Sequence, residues 1–465
     1  MEKTLAKDRL GTDPIGKLLF RMATPSIVAM IMQALYNTID SIYVAKISPA
    51  SLAAITLAYP IQMIAGAMST GIGVGINSSI SRSLGEGHPE KSSKAAANGM
   101  VLGLFSMGLM ILFGLFGVRW YLGLYTNDPA VISAGLTYIR TISLLSVGII
   151  FTQISFSILQ GSGNMLIPMA CQIAGCITVI GLDPLFILGF KMGILGAALA
   201  SSTAQIVAMI IGMVGVFVVN RKNLPITAKD FKLDGPILKD ILSVGVPSAL
   251  TQATTSVVSG IVNKVIAYYG TAAISVYGGF TRLSTFGILP VFGVTRGMNP
   301  ILGYSYGAKN KKRFLQTQRL ACITAEIISC ITGLFFLLFP HVALKMISAS
   351  PEMFEFGVSS YRILSITLFI NGVSIVLAQS FPPAKRSYLT MIYSLLRQVA
   401  LLIPLSIVLS KLLGINGVWI GLAITDYAAF FIVLLMSIWF RRTVLGKWDD
   451  DPIDANNTAE KQEAN

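Results

Sequence analysis

Long apolar runs separated by short polar segments dominate the chain. Many of these runs reach about 20 residues or more, the length that an α-helix needs to cross the hydrocarbon core of a bilayer. About twelve of them lie near residues 18–45, 51–82, 95–122, 131–158, 164–190, 194–219, 237–269, 271–303, 315–345, 352–381, 387–411 and 415–440. The pattern predicts an all-α integral membrane protein with about twelve transmembrane helices.

The two halves of the chain repeat one another. The stretch from Pro25 to Gly85 matches the stretch from Pro247 to Gly307 at a single offset (247 − 25 = 222). This repeat predicts two pseudo-symmetric six-helix lobes. Because each half has an even number of helices, the repeat is parallel about an axis along the membrane normal, an arrangement that leaves a cavity between the lobes.

The repeat also predicts the domain boundaries. We expect an N-lobe with helices 1–6, a cytoplasmic linker, a C-lobe with helices 7–12, and an acidic tail that is disordered. In that order they cover residues 1–219, 220–240, 241–445 and 446–465.

Composition and charge agree with a membrane protein. Only 12% of the residues are charged, about half the usual share of a soluble domain, which argues against a soluble enzyme. The net charge is +14, but the basic residues form short clusters in alternate loops rather than one patch, so we expect no nucleic-acid partner. By the positive-inside rule, both termini are predicted to be cytoplasmic in a multi-pass protein of the cell inner membrane. The polar N-terminus lacks a small-residue cleavage site, so we expect the first helix to be retained.

Four acidic residues fall within apolar runs, where each costs about 2.5–3.5 kcal/mol to insert and is a functional candidate by default. Asp40 lies midway along the first predicted helix on a polar stripe, and Asp183 precedes Pro184, which leaves a backbone carbonyl free. Two carboxyls brought together in low dielectric share a proton, which suits a proton-coupling device. Satisfaction of both groups by Ser and Asn neighbours is the alternative. We expect four coupling-site neighbours: Tyr36, Asn37, Ser202 and Thr203.

Glu326 and Asp426 are the other two acids. Lys264, Arg282 and Arg296 lie in the same half of the chain, and pairing with them would reduce the cost of burial. We therefore interpret Glu326 and Asp426 as members of structural ion pairs.

Polar and soft apolar side chains on interior helix faces predict a substrate cavity, since Met adapts to ligands of varied shape. The candidates are Gln33, Met63, Gln153, Gln252, Thr255 and Ser256. No GxxxxGK[ST] loop occurs, so ATP bound to this chain is not the energy source. The four cysteines show no metal-site spacing, and we expect no cofactor and no firmly assigned metal.

In combination, these residues resemble the MATE family, the multidrug and toxic compound extrusion transporters. The similarity spans about residues 15–445 and includes Asn37-Thr38-Ile39-Asp40, Arg82-Ser83-Leu84-Gly85, Tyr304-Ser305-Tyr306-Gly307-Ala308 and Leu182-Asp183-Pro184. The resemblance implies cation-driven export of bulky cationic or amphipathic compounds. It is strongest to the branch whose coupling acids match Asp40 and Asp183 in the N-lobe, where Pro25 matches the hinge of the first helix.

The resemblance also bears on the coupling ion. The other branch carries its acids in the seventh and tenth helices, where this chain has Thr255 nearby and Asn371, which we assign to the substrate cavity. Val179 replaces an Asn common in the family four residues before the fifth-helix Asp, which removes an oxygen ligand for sodium. We therefore predict H⁺ as the coupling ion, with Na⁺ at Asp40 and Asp183 as the alternative.

These observations favour a monomeric, secondary active multidrug efflux antiporter that works by alternating access on small organic molecules. A flippase or exporter of a lipid-linked or amphipathic metabolite is the alternative within transport. An intramembrane aspartyl hydrolase using Asp40 and Asp183 is the least supported hypothesis, since neither residue lies in the motif of such enzymes.

Overall fold

A computed structural model describes residues 6–44, 47 and 49–448, and within these ranges the regular elements are all helical. The first half contains α1 (Ile15–Val44), α2 (Pro49–Gly85), α3 (Pro89–Gly123), α4 (Pro129–Leu144 and Val147–Gly161), α5 (Leu166–Gly189) and α6 (Gly193–Val219). The second half contains α7 (Gly235–Ala267), α8 (Thr271–Gly307), α9 (Lys311–Leu338), α10 (Pro351–Leu368 and Asn371–Gln379), α11 (residues 387–413) and α12 (residues 415–443). Short helices, Ala6–Thr12 and Pro340–Met346, flank α1 and α9. Each of the twelve apolar runs corresponds to one of these segments.

Several helices are interrupted for local reasons. In α5, Pro184 has no N–H to donate, and a π-helical segment, Pro184–Gly189, begins there. Further π-helical segments lie within α3 (Phe113–Gly117), α6 (Gly215–Val219) and α11 (Leu396–Leu402). Helices α11 and α12 meet at Gly414, whose φ of 62° and ψ of −145° are open to glycine and strained for other residues. At these breaks the regular backbone hydrogen bonding of the α-helix is interrupted inside the bundle.

The connection between the two halves is shorter than the predicted linker. Helix α7 already begins at Gly235, because the Asp234 carboxylate caps it by accepting a hydrogen bond from Ile237 N at 3.4 Å. The remaining residues, 220–234, are held against α3 by Asn98, whose Nδ2 donates to Lys232 O at 3.3 Å. Asn98 Oδ1 also accepts from Asp234 N at 3.0 Å. The predicted acidic tail lies almost wholly outside the described residues, which end at Trp448.

The outer surface is apolar. Large side chains such as Phe116 (78% exposed) and Ile331 (63% exposed) point away from the hydrophobic clusters inside each half. A soluble protein rarely displays such a surface, whereas a bilayer solvates it. The exterior therefore matches helices that lie in lipid.

The two halves contact each other through pairs of helices that follow the repeat. Helix α2 packs on α7, and α8 packs on α1. At the first crossing, a Cβ on Gly71 would lie 2.7 Å from the Ala249 Cβ; at the second, a Cβ on Gly293 would lie 2.9 Å from Ile27 N. These contacts correspond by the sequence offset (293 − 71 = 222 and 249 − 27 = 222). Only glycine permits such close backbone approach, so the repeated glycines set the crossings.

These crossings lie toward the side of the molecule that carries residues 220–234, which we call the linker side. Nearer the C-terminal ends of α2 and α8, these two helices contact each other: Gly85 packs against the Tyr304 backbone, and Gly307 packs against the Arg82 backbone. The halves are therefore closed against each other at the linker side.

Candidate ion-coupling site and substrate cavity

The first-helix aspartate reaches the sixth helix. Asp40, near the end of α1, is half-buried, and its Oδ1 accepts a hydrogen bond from Ser201 Oγ of α6 at 3.2 Å. Of the two predicted α6 neighbours, Ser202 is buried and Thr203 is half-buried one and two residues further on. The hydroxyl that binds the carboxylate thus belongs to the residue before the two predicted ones. Successive side chains on a helix differ in direction by about 100°, so Ser201 and Ser202 point to different neighbours.

The fifth-helix aspartate is enclosed completely. Asp183 has no exposed surface, and neither carboxylate oxygen finds a hydrogen-bond partner among the described residues. It ends the regular part of α5, directly before Pro184. The alternative that Ser and Asn neighbours satisfy both aspartates therefore does not hold for Asp183. Asp40 lies close enough to interact with it electrostatically.

Tyrosine and glutamine side chains surround the two aspartates. Tyr36, one turn before Asp40 on α1, lies beside Ser201 and Gln205. Buried Tyr138 of α4 also faces the aspartates, and its hydroxyl accepts from Gln62 Nε2 at 3.3 Å. Sequence reasoning identified Tyr36 and missed Tyr138, Gln62 and Gln205. Their only signal was the presence of isolated polar groups in apolar runs.

Beside the two aspartates, the side-chain ligands at this site are neutral hydroxyl and amide groups. No group of three or more His, Cys, Asp or Glu side chains that could hold a metal occurs in the described part of the chain. An ion bound by the two carboxylates could also contact the Ser201 hydroxyl and the nearby side-chain oxygens of Tyr36 and Tyr138. Val179, one turn before Asp183, is fully buried and supplies no side-chain oxygen.

The predicted cavity residues of the N-lobe lie at different places between the helices. Gln33 lines a narrow crevice between α1, α4, α5 and α8, together with Arg296 of the second half. Met63 reaches across to the other half, where its sulfur accepts from Ser256 Oγ at 3.5 Å. Gln153 packs beside Gly73 of α2. Gln33 and Met63 therefore lie at the boundary between the halves, whereas Gln153 packs within the first half.

The predicted cavity residues of α7 and α10 do not all lie at one place. Gln252 is exposed, while Thr255 and Asn371 line a cavity of about 240 Å³ within the C-lobe. The hydroxyl of Thr255 accepts from Gln398 Nε2 at 2.9 Å. The cavity residues predicted from α7 thus divide between this cavity and the boundary with the first half.

The structure changes the predicted partners of the two C-lobe acids. Asp426 pairs with Arg397 of α11, at 2.8 Å from Nη2, whereas Lys264 and Arg282 are exposed. Glu326 instead accepts a hydrogen bond from Val373 N at 2.9 Å, at the start of the second part of α10, and one from Cys330 Sγ at 3.6 Å. A carboxylate at a helix N-terminus is stabilised by the unpaired N–H groups there, so Glu326 needs no basic partner.

Pro25 lies inside α1, beside the place where α8 crosses it. The residues on either side of it contact the repeated glycines: Ala23 packs on Gly297 and Ile27 packs on Gly293. Proline removes one backbone hydrogen bond from the helix, which makes this crossing a position where α1 can bend.

An ion network joins the halves at the linker side, and the sequence did not predict it. Asp240 of α7 forms an ion pair with Arg82 of α2 and a second one with Lys385 Nζ at 2.6 Å. Arg82 Nη1 also donates to Ser78 Oγ, and Ser78 Oγ donates to Pro382 O at 2.8 Å. Arg82 and Asp240 come from different halves, so the network stabilises closure of this side.

Comparison with known proteins identifies the family. A family model described as MatE matches residues 25–185 and again residues 247–408. The chain belongs to the MatE family. The two matches start 222 residues apart (247 − 25 = 222), which is the offset of the repeat. The curated MatE relatives include the multidrug export protein MepA of Staphylococcus aureus (strain MSSA476), 23% identical over 432 residues, which cover 91% of this chain and 94% of MepA.

Solved structures agree with this assignment. One is described as the outward-facing conformation of a multidrug resistance MATE family transporter of the MOP superfamily; it aligns with a TM-score of 0.90 at 26% identity, covering 96% of this chain and all of that one. A crystal structure of MATE in the bent conformation aligns with a TM-score of 0.89 at 26% identity, covering 96% and 99%. The prediction of a two-lobed, multi-pass membrane transporter rather than an enzyme is confirmed.

Proposed function

We propose that this MATE transporter is a secondary active multidrug exporter that exchanges external protons for internal cationic or amphipathic compounds. The observation that carries this proposal is the Asp40 and Asp183 pair in the N-lobe, of which Asp183 is fully buried and finds no hydrogen-bond donor in the part of the chain that the structure describes. The multidrug export assigned to the relative MepA supports the substrate class.

The energetics of Asp183 support ion coupling. An ionised carboxylate buried without a partner costs several kcal/mol even after relaxation, so the enclosed site favours a carboxylate that has bound a cation. When the helices separate, water reaches the group and stabilises its charged form. Binding and release of the cation are therefore linked to the conformation of the lobe.

The ligands present favour the proton over sodium. Hard metal cations prefer several oxygen ligands at once, whereas a proton needs one carboxylate oxygen. The side-chain oxygen that contacts the pair from α6 belongs to Ser201, and the neighbouring turn of α5 presents Val179. We infer that H⁺ is the coupling ion and that Na⁺ is at most a weak substitute.

The cycle follows from the closure at the linker side. We assign this side to the cytoplasm of a cell with the protein in its inner membrane, so the closed crossings of α2 with α7 and of α8 with α1 correspond to an outward-open state. Protonation of Asp40 and Asp183 in this state permits α1 to bend near Pro25 and the substrate to leave. Reopening toward the cytoplasm then releases the protons and admits the next substrate. A monomer carries out the whole cycle.

Transport in proteoliposomes tests this proposal. A pH gradient and a sodium gradient are imposed separately, and uptake of a fluorescent cationic dye is measured for the wild type, Asp183→Asn and Asp40→Asn. We expect dye movement driven by the pH gradient in the wild type and its loss in both variants. Asp128→Asn is the matched control, because Asp128 is an exposed helix cap that asparagine replaces well.

Each outcome decides a point. Normal uphill transport by Asp183→Asn would refute the coupling role, and movement driven by sodium alone would refute the choice of ion. If neither gradient moves dye in the wild type, drug export loses its support. Translocation of a lipid-linked or amphipathic metabolite then becomes the function to screen.

A further inference from the structure

The C-lobe holds a cavity that the proton-coupling scheme does not use. It has a volume of about 240 Å³ and lies between α7, α8, α10, α11 and α12. Its wall combines the aromatic rings of Tyr277 and Phe280 with the charged groups of Arg397 and Asp426. Sites for whole drug-sized ligands measure about 300–1,000 Å³, so this cavity suits one end of such a molecule.

Arg397 and Asp426 do not use all of their hydrogen-bonding groups in bonding to each other. Arg397 Nε and Nη2 both donate to the same oxygen, Asp426 Oδ1, at 3.0 and 2.8 Å. Within the described residues, the Arg397 Nη1 and the Asp426 Oδ2 make no further hydrogen bond. The side chains are 33% and 20% exposed, although both lie between helices of the bundle. A donor and an acceptor of opposite charge therefore remain available side by side.

A neighbouring amide is fixed in place beside the pair. Gln398 Nε2 donates both to Thr255 Oγ1 and to Ser394 Oγ, each at 2.9 Å. These two bonds orient the side chain, which lines the cavity next to Arg397. The polar wall is thus held by contacts from α7 and α11, as a binding site requires.

An ion pair inside a membrane protein calls for a reason beyond stability. Replacement of a buried pair by apolar residues of similar volume is often neutral or stabilising, and ionisable residues within the membrane mark substrate pathways by default. Here the pair lines an open cavity instead of a packed core. Its cost is explained if the charges also contact a ligand.

We propose that this cavity is a specificity subsite for the zwitterionic end of a transported molecule, with a carboxylate bound by Arg397 and a cationic nitrogen bound by Asp426. The pair has no net charge, so a zwitterion leaves the site neutral, whereas a simple cation brings an uncompensated charge into low dielectric. Tyr277 and Phe280 supply flat surfaces for an aromatic body. This inference rests on the proposed export function and extends its substrates beyond simple cations.

Two dyes that differ in one group provide the probe. Rhodamine 110 carries a free carboxylate beside its cationic ring system, and rhodamine 123 is its methyl ester, a simple cation. Uptake of each dye into proteoliposomes under a pH gradient is measured for the wild type, Arg397→Gln, Asp426→Asn and the double variant. Dye binding to detergent-purified protein is measured by fluorescence polarisation.

We expect opposite changes in selectivity. Arg397→Gln lowers the ratio of rhodamine 110 to rhodamine 123 transport by about tenfold, because one charged partner of the carboxylate is lost. Asp426→Asn raises the same ratio, because the remaining arginine repels the ester cation. The double variant restores neutrality and loses most of the discrimination.

A purely structural ion pair gives a different result. Both single variants would then lower transport of the two dyes equally and leave the ratio unchanged, which would overturn the proposal. If a single variant does not fold, Ser284→Leu decides the matter, since it leaves the pair in place and occupies part of the cavity. An unchanged dye ratio and binding in that variant would also overturn the proposal. Failure of export as a whole is recognised separately, because the wild type would then transport neither dye.

Discussion

The ion network at the linker side predicts how strongly one carboxylate holds the two halves together. Asp240→Asn removes the partner of Arg82, whose side chain is only 7% exposed, and of Lys385, whose side chain is 52% exposed. The Lys385 pair is screened by water and contributes little. Breaking a buried pair by removing one partner costs about 3–5 kcal/mol, so the loss of the Arg82 contact dominates the effect.

This cost falls mainly on the closed conformation. When the linker side opens, Arg82 becomes hydrated and no longer needs Asp240. The lower bound of about 3 kcal/mol corresponds to a shift of about 100-fold in the ratio of closed to open molecules, at about 1.4 kcal/mol per factor of ten. We therefore expect the variant to expose the interface between the halves far more often than the wild type.

Cysteine labelling measures this exposure. Ser81 is fully buried against Gly303 of the other half and makes its own hydrogen bonds within α2. Ser81→Cys is introduced after replacement of the four native cysteines, and its reaction with a membrane-impermeant maleimide is timed from the linker side. Asp240→Asn should accelerate labelling by about 100-fold.

The control and the refuting result are specific. Glu86→Gln removes only a 4.0 Å pair with exposed Lys91 inside the first half, so its labelling rate should match the wild type. A rate for Asp240→Asn within about twofold of this control would show that the network contributes nothing measurable to closure.

Two further predictions concern the same side of the molecule. Gly75→Ala should destabilise the closed conformation by about 1–3 kcal/mol, because the new Cβ overlaps the Ile241 backbone. The labelling rate of Ser81→Cys should therefore rise. Gly66 has open space around it, so Gly66→Ala should leave this rate unchanged. Asn98→Ala removes the bonds that hold residues 230–234, each worth about 0.5–1.5 kcal/mol. Limited proteolysis should then cut this connection faster, and an unchanged cleavage rate would contradict the role of Asn98.

The positions of the helices could be predicted from sequence because the membrane imposes a simple rule. A segment must be apolar for about 20 residues to span the bilayer. Up to ten of the described helices or bent helix pairs meet that condition, with Ser387–Lys447 counted once, and they include the helix that Pro184 interrupts, whereas Thr271–Gly307 falls short of it. The repeat added the grouping into halves, since a constant offset survives only when both copies keep the same helix lengths.

Side-chain partners were harder to predict because they depend on helix rotation and long-range packing. Asp40 was identified from its stripe on one helix, but the choice of Ser201 over Ser202 depends on the rotation of α6 against α1. Asp426 was expected to pair with Lys264, Arg282 or Arg296, yet its partner is Arg397, which lies in the π-helical segment of α11. Such contacts join residues whose pairing leaves no pattern in a single sequence.

The paired crossings of the two halves have the geometry of a two-fold symmetric dimer. In an isologous dimer, the same patch meets its copy, so each contact occurs twice. Here Gly71 on Ala249 and Gly293 on Ile27 are such a duplicate, as are Gly85 on Tyr304 and Gly307 on Arg82. Each half therefore contributes both contacting surfaces of the interface. The orientation of the lobes is determined by these complementary surfaces and does not depend on the connection through residues 220–234.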